Sequence, residues 1–136
     1  MSDSTDSWAL LTAARTLWQE ARGEPAEGRR AVAHVLWNRV ESGRWGATLA
    51  SVCLWRSQFS GWLPSDPNFE TACSLADDDA LLQQLAALVR AAAHEPDPTN
   101  GATHYFADSM KAAPEWARAA TFCGTFGHQR FYKNVR

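Results

Sequence analysis

The sequence predicts an α+β fold: one mainly helical domain with a small β element. Three observations carry this. Two long stretches near the N-terminus repeat their apolar residues at helical spacing, and so does a third between residues 78 and 94. The last third of the chain instead carries β-branched and aromatic residues around Gly124 and Gly127. A length of 136 residues, 46% of them hydrophobic, suits a single domain with a real core. The expected division is a disordered tail over 1–7 and one domain over 8–136.

The first helix is expected from about Trp8 to Arg22, with Asp6 or Ser7 as its N-cap. On a helical wheel of about 100° per residue, Leu10, Ala14 and Ala21 fall within about 60° of Leu17. Glu20 falls about 60° to the other side, on the border of the apolar stripe. Gly23 and Pro25 end the helix. A carboxyl half buried where a helix meets a turn has its proton affinity raised, which is what a general acid needs at neutral pH. Taken alone, Glu20 reads more readily as a solvated flank residue, and the surrounding sequence is what shifts the reading.

A second helix is expected over Ala26 to Ser42, with Val32, Val35, Leu36 and Val40 as its stripe. Arg39 lies near the centre of that stripe, so it either snorkels or pairs with a carboxylate. The favoured partner is Glu24, one turn after Glu20. Residues 43 to 51 hold a turn and one helical turn. Residues 52 to 67 are irregular and aromatic-rich, and Phe69 to Ser74 form a short helix. Asp77, Asp78 and Asp79 open the helix over 78–94, where carboxylates complement the macrodipole. Calcium is the sharper reading of that run, but it lacks the acidic spacing and glycine of an EF-hand loop. Glu95 to Gly101 is a loop, and residues 102 to 106 and 121 to 132 are short extended segments.

Composition excludes several classes. The formal net charge is -2 with no basic stripe, so nucleic acid is not expected as a partner. No apolar stretch is long enough to cross a membrane. The N-terminus Met1-Ser2-Asp3-Ser4-Thr5-Asp6-Ser7 is polar and acidic, unlike a secretory leader. The three cysteines, Cys53, Cys73 and Cys123, read as free and mostly buried, with one disulfide and a spare as the alternative. His104 and His128 belong to no zinc pattern, so neither a metal nor another cofactor is expected.

The run Glu20-Ala21-Arg22-Gly23-Glu24-Pro25, then Glu27-Gly28 and the segment from Ala31 to Val40, resembles the catalytic domain of the spore cortex-lytic and cell-wall hydrolase family. Further blocks follow in the family's order: Gln58-Phe59-Ser60, then Asp97-Pro98-Thr99-Asn100-Gly101-Ala102 with Tyr105-Phe106. Pro114-Glu115-Trp116, Gly127-His128 and Phe131-Tyr132 complete them. Each block alone is weak; together they span Trp8 to Tyr132. The resemblance implies a lysozyme-like fold, peptidoglycan as substrate and a single catalytic Glu at Glu20. It implies cleavage between N-acetylmuramic acid and N-acetylglucosamine, hydrolytic or by lytic transglycosylation. With no leader evident, a monomeric phage-type endolysin released through a holin pore is the expected setting.

Glu24, Asp66, Asp97 and Asp108 are the candidate second carboxylates; Asp97 reads as shaping its loop and Asp108 as a surface turn. Gln58, Ser60 and Asn100 are loop-placed polar groups suited to orienting a glycan, and Tyr105 follows on a short strand with its hydroxyl available to the sugar or to proton transfer. Turn-forming bonds to backbone are the alternative reading of the Ser and Asn. The sequence has seven tryptophans. Sugar C–H faces pack on flat rings, and Trp62, in a loop, is the expected platform. Trp8, Trp18 and Trp37 are expected in the core, with Trp55 and Trp116 intermediate. His128 is expected to bond to backbone. The rival functions are a wall amidase or peptidase, and a glycan-binding module without catalysis.

Overall fold

The computed structural model describes residues 7–55 and 58–136. Helix α1 spans Ser7–Ala21, so Ser7 already belongs to it, and the expected cap Asp6 lies outside the described residues. It buries Ala9, Leu10, Ala13, Ala14, Leu17 and Ala21. The alanines keep that face shallow, which lets other helices approach closely. Its two buried threonines return their hydroxyls to the helix itself: Thr12 Oγ1 donates to the Trp8 carbonyl and Thr16 Oγ1 to that of Thr12. The chain turns at Gly23, and Pro25 leads into α2, Ala26–Ser42. Gly43 ends α2 in the left-handed region, φ 77°, its N–H bonded to the Val40 carbonyl.

Four further elements complete the helical layer. Helix α3, Leu49–Leu54, starts from a reciprocal cap between Thr48 and Ser51. A 3-10 turn, Ser60–Trp62, and the short helix α4, Phe69–Ser74, follow. Helix α5, Ala80–Ala92, packs across α1 and α2 and is shorter at both ends than its periodicity suggested. The acidic run explains its start: Asp79 caps the Leu82 N–H, while Asp77 pairs with Arg15 outside the helix.

Strands β1 (His104–Ala107), β2 (Thr121–Phe126) and β3 (Gln129–Lys133) form an antiparallel sheet in the order β1-β3-β2. The second 3-10 turn, Glu115–Ala117, lies between β1 and β2. Alternation sorts the aromatics onto two faces. Tyr105, Phe126 and Phe131 pack together against the helices. His104, Phe106, Phe122 and Tyr132 lie on the outer face, where Trp116 covers His104, Phe106 and Tyr132. This is why the consecutive residues Phe131 and Tyr132 are both buried. β1 is an edge strand, so its two faces both border whatever lies beside that edge.

The loop before β1 is fixed by a buried polar network. Asp97 accepts from Thr99 N and Oγ1, Gly101 N and Asn38 Nδ2, all at 2.7–2.8 Å. Burial pushes its carboxyl up, but these bonds outweigh that and hold it below the usual range. Asp97 shapes its loop as the sequence suggested. His34, buried in α2, meets Glu95 at 3.0 Å, and Arg30 grips the same carboxylate.

Two expectations need correction. Trp8 is 61% exposed, because it sits on the first turn of α1, beyond the cover of its neighbours. Trp18 and Trp37 do pack on the core. All three cysteines are free, but only Cys53 is buried; Cys73 is exposed and Cys123 half-buried.

Candidate active site

Glu20 ends up on the last turn of α1, half-buried, where the helix passes the β1 edge. Alternation turns Tyr105 inward, and its hydroxyl donates to Glu20 Oε1 at 2.5 Å. Burial raises the Glu20 carboxyl above its ordinary value near 4.5. The Tyr105 bond and the Arg39 charge pull it back in part, and the Asp66 charge adds to the rise. Tyr105 is itself pushed well above its ordinary value by burial and by Glu20, so it keeps its proton and remains a donor.

The cleft over Glu20, about 190 Å³, is lined by Arg39, Gln58, Phe59, His104, Tyr105 and Trp116. Glu20 is the one carboxylate among these lining residues. Arg39 is buried and reaches in from the last turn of α2. Its Nε donates to the Thr103 carbonyl at 2.8 Å and its Nη1 to Gln58 Oε1 at 3.2 Å. Its guanidinium lies over Trp45 at 4.4 Å and Phe59 at 5.2 Å. Burial lowers its pKa to about 10, which still leaves a cation at neutral pH.

Arg39 therefore does not pair with Glu24. Helix length forbids it: Glu24 precedes the first turn of α2 and Arg39 lies in its last, about 20 Å along the axis. Glu24 instead accepts the His128 N–H at 2.7 Å and faces its ring at 3.3 Å. This ties the Gly23–Pro25 corner to the β2–β3 hairpin. Gly127, at φ 61°, and Gly28 lie directly against the Glu24 side chain, leaving no room for a Cβ at Gly127. So His128 meets Glu24 through both its N–H and its ring, where only backbone bonding was expected.

Of the expected glycan contacts, the structure brings Gln58 and Tyr105 to Glu20. Ser60 opens the 3-10 turn through its backbone; its side chain lies outside what is described. Asn100 is exposed, at φ 55°, its carbonyl accepting from Lys133, and it does not line the cleft. Trp62 is turned away from the cleft. Its Nε1 donates to Thr16 Oγ1 at 2.9 Å, and its ring lines a separate groove with Trp8, Leu11 and Arg15. Trp62→Phe is therefore expected to lower stability by about 1 kcal/mol through the lost hydrogen bond. It should leave chitooligosaccharide affinity unchanged in a fluorescence titration. A clear loss of affinity would place the ring in the substrate's path.

His104, Phe59 and Trp116 were not singled out as site residues. Strand alternation around Tyr105 could have flagged His104; nothing in the sequence signals the long-range approach of Trp45 and Trp116. Of the other candidate carboxylates, Glu24 and Asp97 are held as described and Asp108 is exposed; Asp66 does not line the cleft, but its charge reaches Glu20. Among the described residues no group of three His, Cys, Asp or Glu side chains gathers as metal ligands would. No helix there is long and apolar enough to cross a membrane.

The chain resembles known proteins in both sequence and fold. It superposes on the catalytic domain of the germination-specific lytic transglycosylase SleB from Bacillus anthracis with a TM-score of 0.73. That match has 25% identity and covers 98% of this chain and 97% of the other. The catalytic domain of the Bacillus cereus SleB protein gives a TM-score of 0.74 at 26% identity, over 92% of this chain and 89% of that one. No curated protein sequence matches. The family model described as Cell Wall Hydrolase matches residues 23–132, beginning just after Glu20. The motif blocks, the fold and this match over most of the length agree, and the chain belongs to the cell wall hydrolase family.

Proposed function

We propose that this chain cleaves the glycan strand of peptidoglycan between N-acetylmuramic acid and N-acetylglucosamine, with Glu20 as general acid and then base. The observation that carries the reading is the state of Glu20: a half-buried carboxyl of raised proton affinity, oriented by the Tyr105 hydroxyl, alone of its kind in the cleft. Raised proton affinity is the property a general acid uses to hold the proton it gives to the leaving oxygen.

The solitary carboxylate also bears on the product. A retaining hydrolase places a second carboxyl about 5–5.5 Å from the acid, and an inverting one about 6.5–9.5 Å away. With no second carboxylate among the described residues that line the cleft, and Asp66 acting on Glu20 as a charge from outside that lining, the sugar's own C6 hydroxyl serves as the trap for the oxocarbenium-like centre. Glu20, now ionised, takes the proton from that hydroxyl as the C6 oxygen bonds to C1. The product is a 1,6-anhydro sugar, and Glu20 is left protonated for the next cycle. Arg39 keeps its charge throughout and stabilises the ionised stage.

Digestion of purified sacculi tests this reading against an amidase or peptidase. Glycan cleavage releases muropeptides with stem peptides still attached to sugar; free stem peptides on intact glycan would overturn it. Tyr105→Phe sharpens the test. Loss of the donor should reduce the rate about tenfold or more. Because the Tyr105 bond lowers Glu20's proton affinity, its removal should move the high-pH limb of the rate profile to higher pH. An unchanged rate and profile would remove Tyr105 from the mechanism.

A further inference from the structure

His104 is a polar cleft residue that this mechanism leaves without a task. Its ring is clamped, with centroids 5.6 Å from Trp45 and 5.1 Å from Trp116. Its Nδ1 lies 2.9 Å from Thr103 Oγ1, while its Nε2 has no hydrogen-bond partner among the described residues. The ring is half-buried and lines the cleft beside Glu20 and Tyr105. That nitrogen is thus open to a ligand entering the cleft.

We propose that His104 is a specificity residue: its Nε2 hydrogen-bonds the acetamido group of a bound sugar, while the Trp116 indole packs against that group's methyl. The proposal rests on the glycan reading of the cleft and adds a named feature of the substrate that the chain selects. When the Thr103 hydroxyl donates to Nδ1, Nε2 carries the hydrogen and suits a carbonyl oxygen. Burial, with the Arg39 and Arg44 charges, lowers the ring's pKa to about 4, so at neutral pH it is an uncharged donor. The same value makes it a poor base, which separates its role from that of Glu20. The two indoles hold the ring in place before the sugar arrives, so little side-chain freedom is lost on binding. An acetamido group matches this seat: a carbonyl for the imidazole and a methyl for the indole face. A hydroxyl at the same carbon offers no methyl and a weaker match.

The test is titration of a chitooligosaccharide and a cello-oligosaccharide of equal length against Glu20→Gln protein, in which turnover is blocked. That protein is expected to prefer the N-acetylated sugar. Adding His104→Phe keeps an aromatic ring between Trp45 and Trp116 but removes the nitrogen. It should weaken chitooligosaccharide binding about tenfold, the worth of one hydrogen bond, and leave cello-oligosaccharide binding unchanged. His104→Gln, whose amide nitrogen can reach the Nε2 position, should restore part of the preference. If His104→Phe does not fold, Trp116→Leu must show the same selective loss. Unchanged binding of both sugars, or equal weakening of both, would overturn the role of His104 and leave the glycan reading standing. Failure of the parent protein to bind either sugar would overturn both together.

Discussion

Glu20→Gln is expected to lower the rate of wall digestion at least about 10²-fold with the fold intact. Gln keeps the shape and still accepts the Tyr105 hydroxyl, but has no proton to give. The stability consequence has a definite sign. The folded carboxyl is raised above its ordinary value near 4.5, so its ionisation penalises the folded state as pH climbs from that value through the folded one. Below that window wild type and variant should melt alike. Above it the variant should be at least as stable. Melting scans across pH beside turbidity assays on permeabilised cells report both effects. A variant that digests at near wild-type rate would remove Glu20 from the chemistry.

Arg39→Met is expected to carry the largest stability cost. The guanidinium bridges α2 to the residue before β1, lies over Trp45 and Phe59, and holds Gln58 at the cleft. A charge-assisted hydrogen bond contributes about 1.5–3 kcal/mol, and a desolvated cation over an aromatic ring about 2. Relief of the buried charge offsets part of this, leaving a net loss of about 2 kcal/mol. For a chain of this size that is a fall in melting temperature of roughly 6–10 °C. A functional signature should accompany it. Arg39 lowers the proton affinity of Glu20, so its loss should shift the high-pH limb of the rate profile upward. A variant that melts like wild type and keeps its profile would reduce Arg39 to packing.

The helices were legible because each obeys local rules. The span of α2 was read from its apolar stripe and its Pro and Gly boundaries, and the Phe69–Ser74 helix was read correctly as well. Glu20's half-buried place followed from the same wheel. Arg39's partner did not, because its acceptor is the Thr103 carbonyl, and a backbone oxygen carries no residue-type signal. The pairing with Glu24 could have been rejected from the sequence by the length of α2 alone. Trp62 was misplaced for a different reason. A loop tryptophan reads as exposed, yet Thr16 offers a buried hydroxyl that its indole satisfies. His104 and Trp116 meet only because β1 is an edge strand and the second 3-10 turn folds back over the outer face, a contact set by the sheet order.

The claim that one carboxylate does all the chemistry is tested most directly by the mass of the sugar ends released from sacculi in heavy-oxygen water. Trapping by the C6 hydroxyl gives muramic ends lighter than the reducing form by one water and free of the label. Reducing ends that carry the heavy oxygen would mean that water attacks the centre, and would contradict a cleft that works with Glu20 alone.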